Sequence, residues 1–426
     1  MGMRQAAAAF VMLAGLSACE GTPPSSTLEA ASPYADHWYA FSDPVVAGRY
    51  RGLTLYETER QSLGRLVLAD GSALALRPVP PMPGDDLAFI VPALGMSFAA
   101  KKDGHDSWTG TLIDRAYGEA SATLSPTVSA PAETVGQFAI LPDGRRMHMV
   151  CSGEGAPTVI LDYGAGGTVK KDWGDLAAAI AAEAKARVCA YDRAGRGLSD
   201  PAATPRDAAA VASDLDQMLT AARIAPPYVL VGHSLGSYHV RQFANSYADK
   251  TAGLVLMDPS GDGQMERFAA TIPKIVEEQN KLMDAQAGLG CITKLRVNPV
   301  PPNDPLAKLC GGNDPDALDA TRSEIAEMPG ASTASLVASR RSYDDMPLIV
   351  LTRGDYDKGM PPSMTTDDRA AMRLVWETMH AEMAALSSRG EQRFIAGAGH
   401  YIQSDAPQAV IDAVRDVVAA ARSKSP

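Results

Sequence analysis

The sequence predicts an α/β protein: a mainly parallel sheet flanked by helices, preceded by a small antiparallel β domain. Three observations carry that prediction. From Thr134 onward, short apolar runs alternate with helical stretches, and runs such as Val229-Leu230-Val231 carry no polar face. Strands buried on both sides, each followed by a helix, are the mark of a parallel sheet with covered faces. Between Tyr34 and Leu124 the pattern instead alternates apolar with polar, broken at Asp70-Gly71 and Asp103-Gly104. Those dipeptides favour tight turns between antiparallel strands. The two patterns meet in a stretch rich in Pro, Ser and Ala, Ser125 to Glu133, which reads as a linker.

The elements follow in order. Arg4, the apolar stretch Ala6 to Gly15 and the small residues Ser17 and Ala18 read as a secretion signal over 1–18. Residues 19–33 are rich in Pro, Ser and Thr and read as a flexible tether. The β domain is expected over 34–124, and its lone His105 beside a turn reads as a solvent-exposed side chain. In the second region, 134–426, "QFAILPDGRRMHMVCSG" reads as a hairpin turning at Pro142-Asp143-Gly144. "PTVILDYGAGG" reads as a strand entering a Gly-rich loop, and "ARVCAYDRAGRG" as another strand and loop. "PYVLVGHS", "GLVLMDPS", "PLIVLTRGD" and "EQRFIAGAGH" complete the strands, with helices over Trp173–Lys185, Ala208–Arg223, Thr366–Leu386 and Gln408–Arg422. Gly263 to Arg341 reads as a mainly helical insertion, in which Met265, Phe268, Ile272, Ile275 and Met283 form an apolar stripe suited to packing onto the domain.

The 426 residues, 46% of them apolar and 21% charged, supply enough core for two domains. A formal net charge of −11 argues against attraction to nucleic acid or to an anionic membrane surface. Of the cysteines after Cys19, Cys151 and Cys189 lie in strand-like runs and read as small buried hydrophobes. Cys291 and Cys310 flank a Pro-rich loop, where an oxidising compartment would allow a disulfide. His37, His105, His148, His239 and His380 form no ligand spacing, so neither metal nor cofactor is expected.

The chemistry is concentrated at Gly232-His233-Ser234-Leu235-Gly236, between the apolar strand Tyr228 to Val231 and a helical run. A strand-to-helix turn this tight leaves no room for a side chain at either glycine. It lifts the Ser234 hydroxyl out of the sheet, and it sets the Leu235 amide at a helix N-terminus, where an oxyanion would be held. A phosphate-binding reading of Gly164, Gly166 and Gly167 fails, because no Lys-Ser/Thr closes a Walker spacing and Val169 stands where a dinucleotide loop needs Gly or Ala.

With this motif in place the chain, from about Gly136 to its end, resembles the α/β-hydrolase superfamily of serine hydrolases. "DRAGRGLSD", Asp192 to Asp200, is similar to the family's D-x-x-G-x-G-x-S loop, in which Arg193 and Arg196 are expected to shape the loop and pair with carboxylates. "GAGHYIQSDAP" is similar to the loop carrying the catalytic histidine, which implies His400 as base. Tyr163-Gly164-Ala165-Gly166-Gly167 stands where the family has His-Gly-x-Gly, which implies Ala165 as the second oxyanion amide and leaves Tyr163 in place of the histidine. The family order implies an acid between serine and histidine. Asp357, three residues after Gly354 and followed by Pro361, matches the usual place; Asp258, after the preceding strand, is the runner-up, and Asp355 is expected to serve the turn. The insertion falls where the family carries a helical cap, expected over 263–341.

The resemblance thus implies an esterase acting on a small ester or acyl substrate through an acyl-enzyme. An aminopeptidase of short peptides and an inactive binding protein of the same fold are the alternatives. Leu16-Ser17-Ala18-Cys19 also resembles a bacterial lipobox, which implies lipidation of Cys19, export to the cell envelope and membrane attachment through that lipid alone.

Overall fold

The computed structural model describes residues 38–423 except 58–61, 69–72, 80, 92–93, 104–106, 116, 128–135, 278–279, 282–288, 298–303, 313 and 359–362. The signal, Cys19 and the tether therefore lie outside the described residues, as do His37, His105, Met283 and most of the expected linker.

The first domain is a closed meander of eight antiparallel strands: β1 (Trp38–Phe41), β2 (Tyr50–Glu57), β3 (Ser62–Leu68), β4 (Ala73–Pro78), β5 (Leu87–Val91), β6 (Met96–Lys102), β7 (Trp108–Asp114) and β8 (Gly118–Thr127). Each strand pairs with the next, and β1 returns to β8 with Trp38 opposite Thr127. Closure removes the exposed edges that an open sheet of this kind would present. Phe41, Leu53, Leu66, Phe89, Phe98, Leu112 and Leu124 fill the barrel.

β3 departs from simple alternation. Leu66 points into the barrel, yet its neighbours Arg65 and Val67, which face outward, are buried too. The second domain meets Arg65. Arg65 Nη2 donates to the Ser199 carbonyl, and Nη1 lies 3.7 Å from Asp314 of the insertion.

That second domain is an eight-stranded sheet in the order β16-β15-β14-β13-β11-β12-β10-β9. Its strands are β9 (Gln137–Ile140), β10 (Arg146–Ser152), β11 (Thr158–Asp162), β12 (Val188–Tyr191), β13 (Tyr228–His233), β14 (Thr251–Met257), β15 (Leu348–Arg353) and β16 (Gly390–Ile395). From β12 to β16 the neighbours are parallel, while β9 and β10 are antiparallel additions at one edge. The helices Gly174–Ala184 and Pro407–Arg422 cover one face, over Val159, Val231 and Leu351. The helices Ala208–Ala221, Gly236–Ser246 and Thr366–Ala384 cover the other, over Ile160, Leu230 and Val350.

The pairing of β10 with β12 corrects one expectation. Cys151 stands directly opposite Cys189 with Cα atoms 4.1 Å apart, and the two are disulfide-bonded rather than lone hydrophobes. Cys291 and Cys310 are bonded as expected, joining the helices Cys291–Val297 and Pro305–Cys310.

The insertion between β14 and β15 is helical, with the further helices Gln264–Thr271, Pro315–Glu327 and Thr333–Ser339. The expected stripe divides. Phe268, Ile272 and Ile275 pack on the domain core, whereas Met265 joins Met328 and Leu336 against Leu235, the residue after the candidate nucleophile.

Candidate active site

The neighbouring strands β14, β13 and β11 end at one place, and their C-terminal turns, with the turn after β16, build the site. β13 enters the turn at Ser234, whose φ of +50° is in the left-handed region. The turn is as tight as the motif requires. A Cβ on Gly232 would lie 2.6 Å from Val240 Cγ2, and one on Gly236 would lie 2.6 Å from the Tyr163 carbonyl oxygen. The helix Gly236–Ser246 begins directly after Leu235.

His400 lies in the turn between β16 and the short helix Ile402–Asp405. Its Nε2 is 3.0 Å from Ser234 Oγ and its Nδ1 is 2.6 Å from Asp258 Oδ2. A hydroxyl, an imidazole and a carboxylate thus form one continuous relay, with Nδ1–H donating to Asp258 and Nε2 placed to take the serine proton.

The carboxylate that meets His400 is therefore Asp258, the runner-up, and not Asp357 as expected. β14 is hydrogen-bonded to β13, so a residue ending it stands one strand spacing, about 5 Å, from the elbow; β15 is a strand further out. Asp357 lies beyond β15 with its side chain 84% exposed, paired to Arg369 Nε at 3.2 Å. Asp355 caps the turn by accepting from the amides of Asp357 and Lys358, as expected.

Asp258 is fully buried and heavily bonded. Oδ1 accepts from Trp376 Nε1 at 2.8 Å and from the Arg353 amide at 3.1 Å; Oδ2 accepts from Arg353 Nε at 2.8 Å as well as from His400. Burial pushes the carboxyl up, but the His400 hydrogen bond and the Arg353 guanidinium outweigh it and hold Asp258 well below the usual carboxylate range. Arg353 Nη2 is also 2.9 Å from His400 Nδ1. Both atoms are donors when Nδ1 carries its proton, so they converge on the same carboxylate rather than bond each other.

Two further histidines brace the site in the neutral form. Burial, and then the charge of His400, push His233 down to about 3; its Nε2 donates to the His400 carbonyl oxygen at 2.9 Å, which fixes the loop. Burial pushes His380 down to about 4, and its Nε2 donates to the Pro259 carbonyl at 3.0 Å, just past the acid. Phe268 stacks parallel on Trp376 with ring centroids 5.7 Å apart, so the insertion also holds the tryptophan that bonds Asp258.

On the other side of the serine is the loop after β11. A Cβ on Gly164 would lie 3.3 Å from Ser234 Cβ, so this glycine backbone runs directly beside the nucleophile, with the exposed Ala165 following it. Tyr163, the departure from the family pattern, is buried beneath the loop: its hydroxyl accepts from the Arg193 amide at 2.7 Å.

The model of the alpha/beta hydrolase family matches residues 164–413, from the loop after β11 to the last helix, and so includes Ser234, Asp258 and His400. The chain belongs to the alpha/beta hydrolase family. Among curated relatives of this hydrolase, the uncharacterized protein YqjL of Bacillus subtilis is 26% identical over 270 residues, 63% of this chain and 86% of its own. Among solved structures, the enol-lactonase from Burkholderia xenovorans LB400 aligns at 17% identity with a TM-score of 0.44, covering 66% of this chain and 100% of the lactonase. The thermophilic esterase from Thermogutta terrifontis aligns at 21% identity with a TM-score of 0.44, covering 67% of this chain and 98% of the esterase.

Sequence reasoning missed Arg353, Trp376 and His233 of this hydrolase. Only Arg353 carried a local signal, a cation closing the apolar run Leu348 to Leu351. The others lie on a helix, or inside the motif itself, where nothing in the one-dimensional pattern separates them from ordinary core or surface.

Proposed function

We propose that the protein is a serine hydrolase that cleaves a carboxylic ester through an acyl-enzyme on Ser234. The observation that carries the reading is the unbroken relay from Ser234 Oγ through His400 to the buried Asp258. Ser234 Oγ attacks the ester carbonyl as its proton passes to His400 Nε2, and Asp258 stabilises the resulting imidazolium. The amides of Leu235 and Ala165 hold the oxyanion. The imidazolium then returns the proton to the leaving alkoxide. Water, deprotonated by His400, attacks the acyl carbonyl and frees the acid and the Ser234 hydroxyl.

Family membership supports a hydrolase, and the relay supports acyl transfer within that class. An aminopeptidase would need a carboxylate facing the substrate's amino group, and the buried insertion carboxylates Glu324 and Asp314 are already paired with Arg193 and Arg65. The ester reading is therefore favoured. Ser234→Ala should abolish hydrolysis across a panel of p-nitrophenyl esters and labelling by a fluorophosphonate, with circular dichroism unchanged. Near wild-type turnover in that variant, or cleavage of aminoacyl p-nitroanilides in preference to esters, would overturn the reading. Export and lipid attachment at Cys19 belong to the same proposal, supported by two disulfides of a kind that persist in oxidising compartments.

A further inference from the structure

The loop beside Ser234 is held from beneath by two arginines of the Asp192–Asp200 turn. Arg193 Nη1 donates to the Tyr163 carbonyl at 2.7 Å and Nη2 to the Gly164 carbonyl at 2.9 Å. Arg196 Nε donates to the Gly167 carbonyl at 3.1 Å and Nη2 to that of Gly166. A peptide is planar and trans, so its N–H points opposite to its C=O. Holding the Gly164 carbonyl inward on Arg193 therefore turns the Ala165 amide outward, away from the interior and free of that anchor.

Arg193 is itself fully bonded and buried. Besides the two carbonyls, its guanidinium reaches Asp162 Oδ1 at 2.5 Å, and Nε lies 3.0 Å from Glu324 Oε1 while Nη2 lies 2.9 Å from Glu324 Oε2. It also lies over the Tyr163 ring, 4.2 Å from its centroid. Asp162 belongs to β11, but Glu324 comes from the insertion helix Pro315–Glu327, and it too is buried. The same helix gives its Ala317 carbonyl to Arg196 at 3.3 Å, and a Cβ on Gly195 would lie 3.0 Å from Ala320 Cβ. The insertion is thus seated against the turn that holds the loop.

Resting on the reading of Ser234 as nucleophile, the geometry points to Arg193, locked by Glu324, as the positioning residue that sets the Ala165 amide in the oxyanion hole, so that the hole is complete only while the insertion helix is seated. Without the guanidinium the Gly164 carbonyl keeps only the long 3.4 Å bond from the Gly167 amide, and the 164–165 peptide can rotate, turning an oxygen where an amide is needed. Glu324 would also be left without its cation, and Asp162 would keep only Tyr191 and His239, under a site where negative charge develops.

The test compares wild type, Ser234→Ala, Arg193→Met and Glu324→Gln. Turnover is expressed per active site titrated with a fluorophosphonate, so that a misfolded fraction does not count. Arg193→Met should lower kcat by about 10²- to 10³-fold, the loss typical of one oxyanion donor, with KM changed little. A trifluoromethyl ketone, whose hydrate-like adduct places an oxyanion in the hole, should weaken by a similar factor. Glu324→Gln keeps an acceptor for Nε but removes the charge, and should show a smaller loss of the same kind; it decides the matter if Arg193→Met does not fold. A folded variant of either residue whose per-site kcat and ketone affinity stay within twofold of wild type, or whose KM alone moves, overturns the positioning role. Absence of Ser234-dependent turnover in wild type would instead overturn the functional reading and this inference with it.

Discussion

Replacing Asp258 by Asn separates the two acid candidates with little steric change. Asn is isosteric, and it is among the residues that tolerate the left-handed backbone that Asp258 adopts at φ +40°. Oδ1 can still accept from Trp376 Nε1 and the Arg353 amide. The opposite edge becomes an NH2 that faces His400 Nδ1–H and Arg353 Nε–H, which are both donors. His400 relieves that conflict by moving its proton to Nε2, and in that tautomer it cannot accept the Ser234 proton. The loss expected is on the order of 10⁴-fold in kcat, equivalent to about 5 kcal/mol of barrier. Asp357→Asn removes only an exposed pair with Arg369 and should leave turnover within about twofold of wild type. The assay is p-nitrophenyl ester hydrolysis normalised to folded protein by circular dichroism. The reasoning is refuted if folded Asp258→Asn keeps more than a tenth of wild-type kcat, or if Asp357→Asn suffers the larger loss.

Two further outcomes are expected. His380 is neutral in the fold, with its pKa pushed down to about 4 from an ordinary 6.5, so the unfolded chain binds a proton there that the folded chain does not. Stability from this residue is present above the ordinary value and declines as pH falls between about 6.5 and 4, by up to about 1.4 kcal/mol per pH unit. In urea unfolding, His380→Gln should accordingly flatten the wild-type slope across that window, and equal slopes for the two proteins would count against the assignment. Mass spectrometry of protein purified from membranes without reductant should find a lipid-modified Cys19 as the first residue and no free thiol at Cys151, Cys189, Cys291 or Cys310; an unmodified start elsewhere, or four free thiols, contradicts the respective half.

What the sequence carried was local. The Gly232 to Gly236 motif, the strand before it and the helix after it are written within one stretch, as is the histidine turn at His400. Ser234 and His400 could be read for that reason. The acid could not be fixed in the same way, because the decision between Asp258 and Asp357 depends on which strand lies beside β13, and strand order is a property of the assembled sheet. The same limit hid the Cys151–Cys189 bond, which needs β10 beside β12, and the closure of the barrel, which needs β1 beside β8. Glu324 was illegible for a further reason. In sequence it is one carboxylate on an amphipathic helix, and only burial against Arg193 distinguishes it.

The contact made by Arg65 bears on how this molecule could be taken apart. Its guanidinium leaves the barrel wall and meets a carbonyl of the Asp192–Asp200 turn and the residue capping the helix that carries Glu324. Three segments more than a hundred residues apart along the chain thus share one cation, and the barrel is joined to the rest by more than the stretch that connects them. Severing the chain between β8 and β9 would leave a catalytic half that still owned its serine, histidine and acid. It would also take Arg65 from Asp314 at the head of the helix that locks the loop beside the serine. The halves are for that reason a poor source of interchangeable parts. A barrel borrowed from elsewhere would need a cation at the same place on its wall before it could stand in for this one.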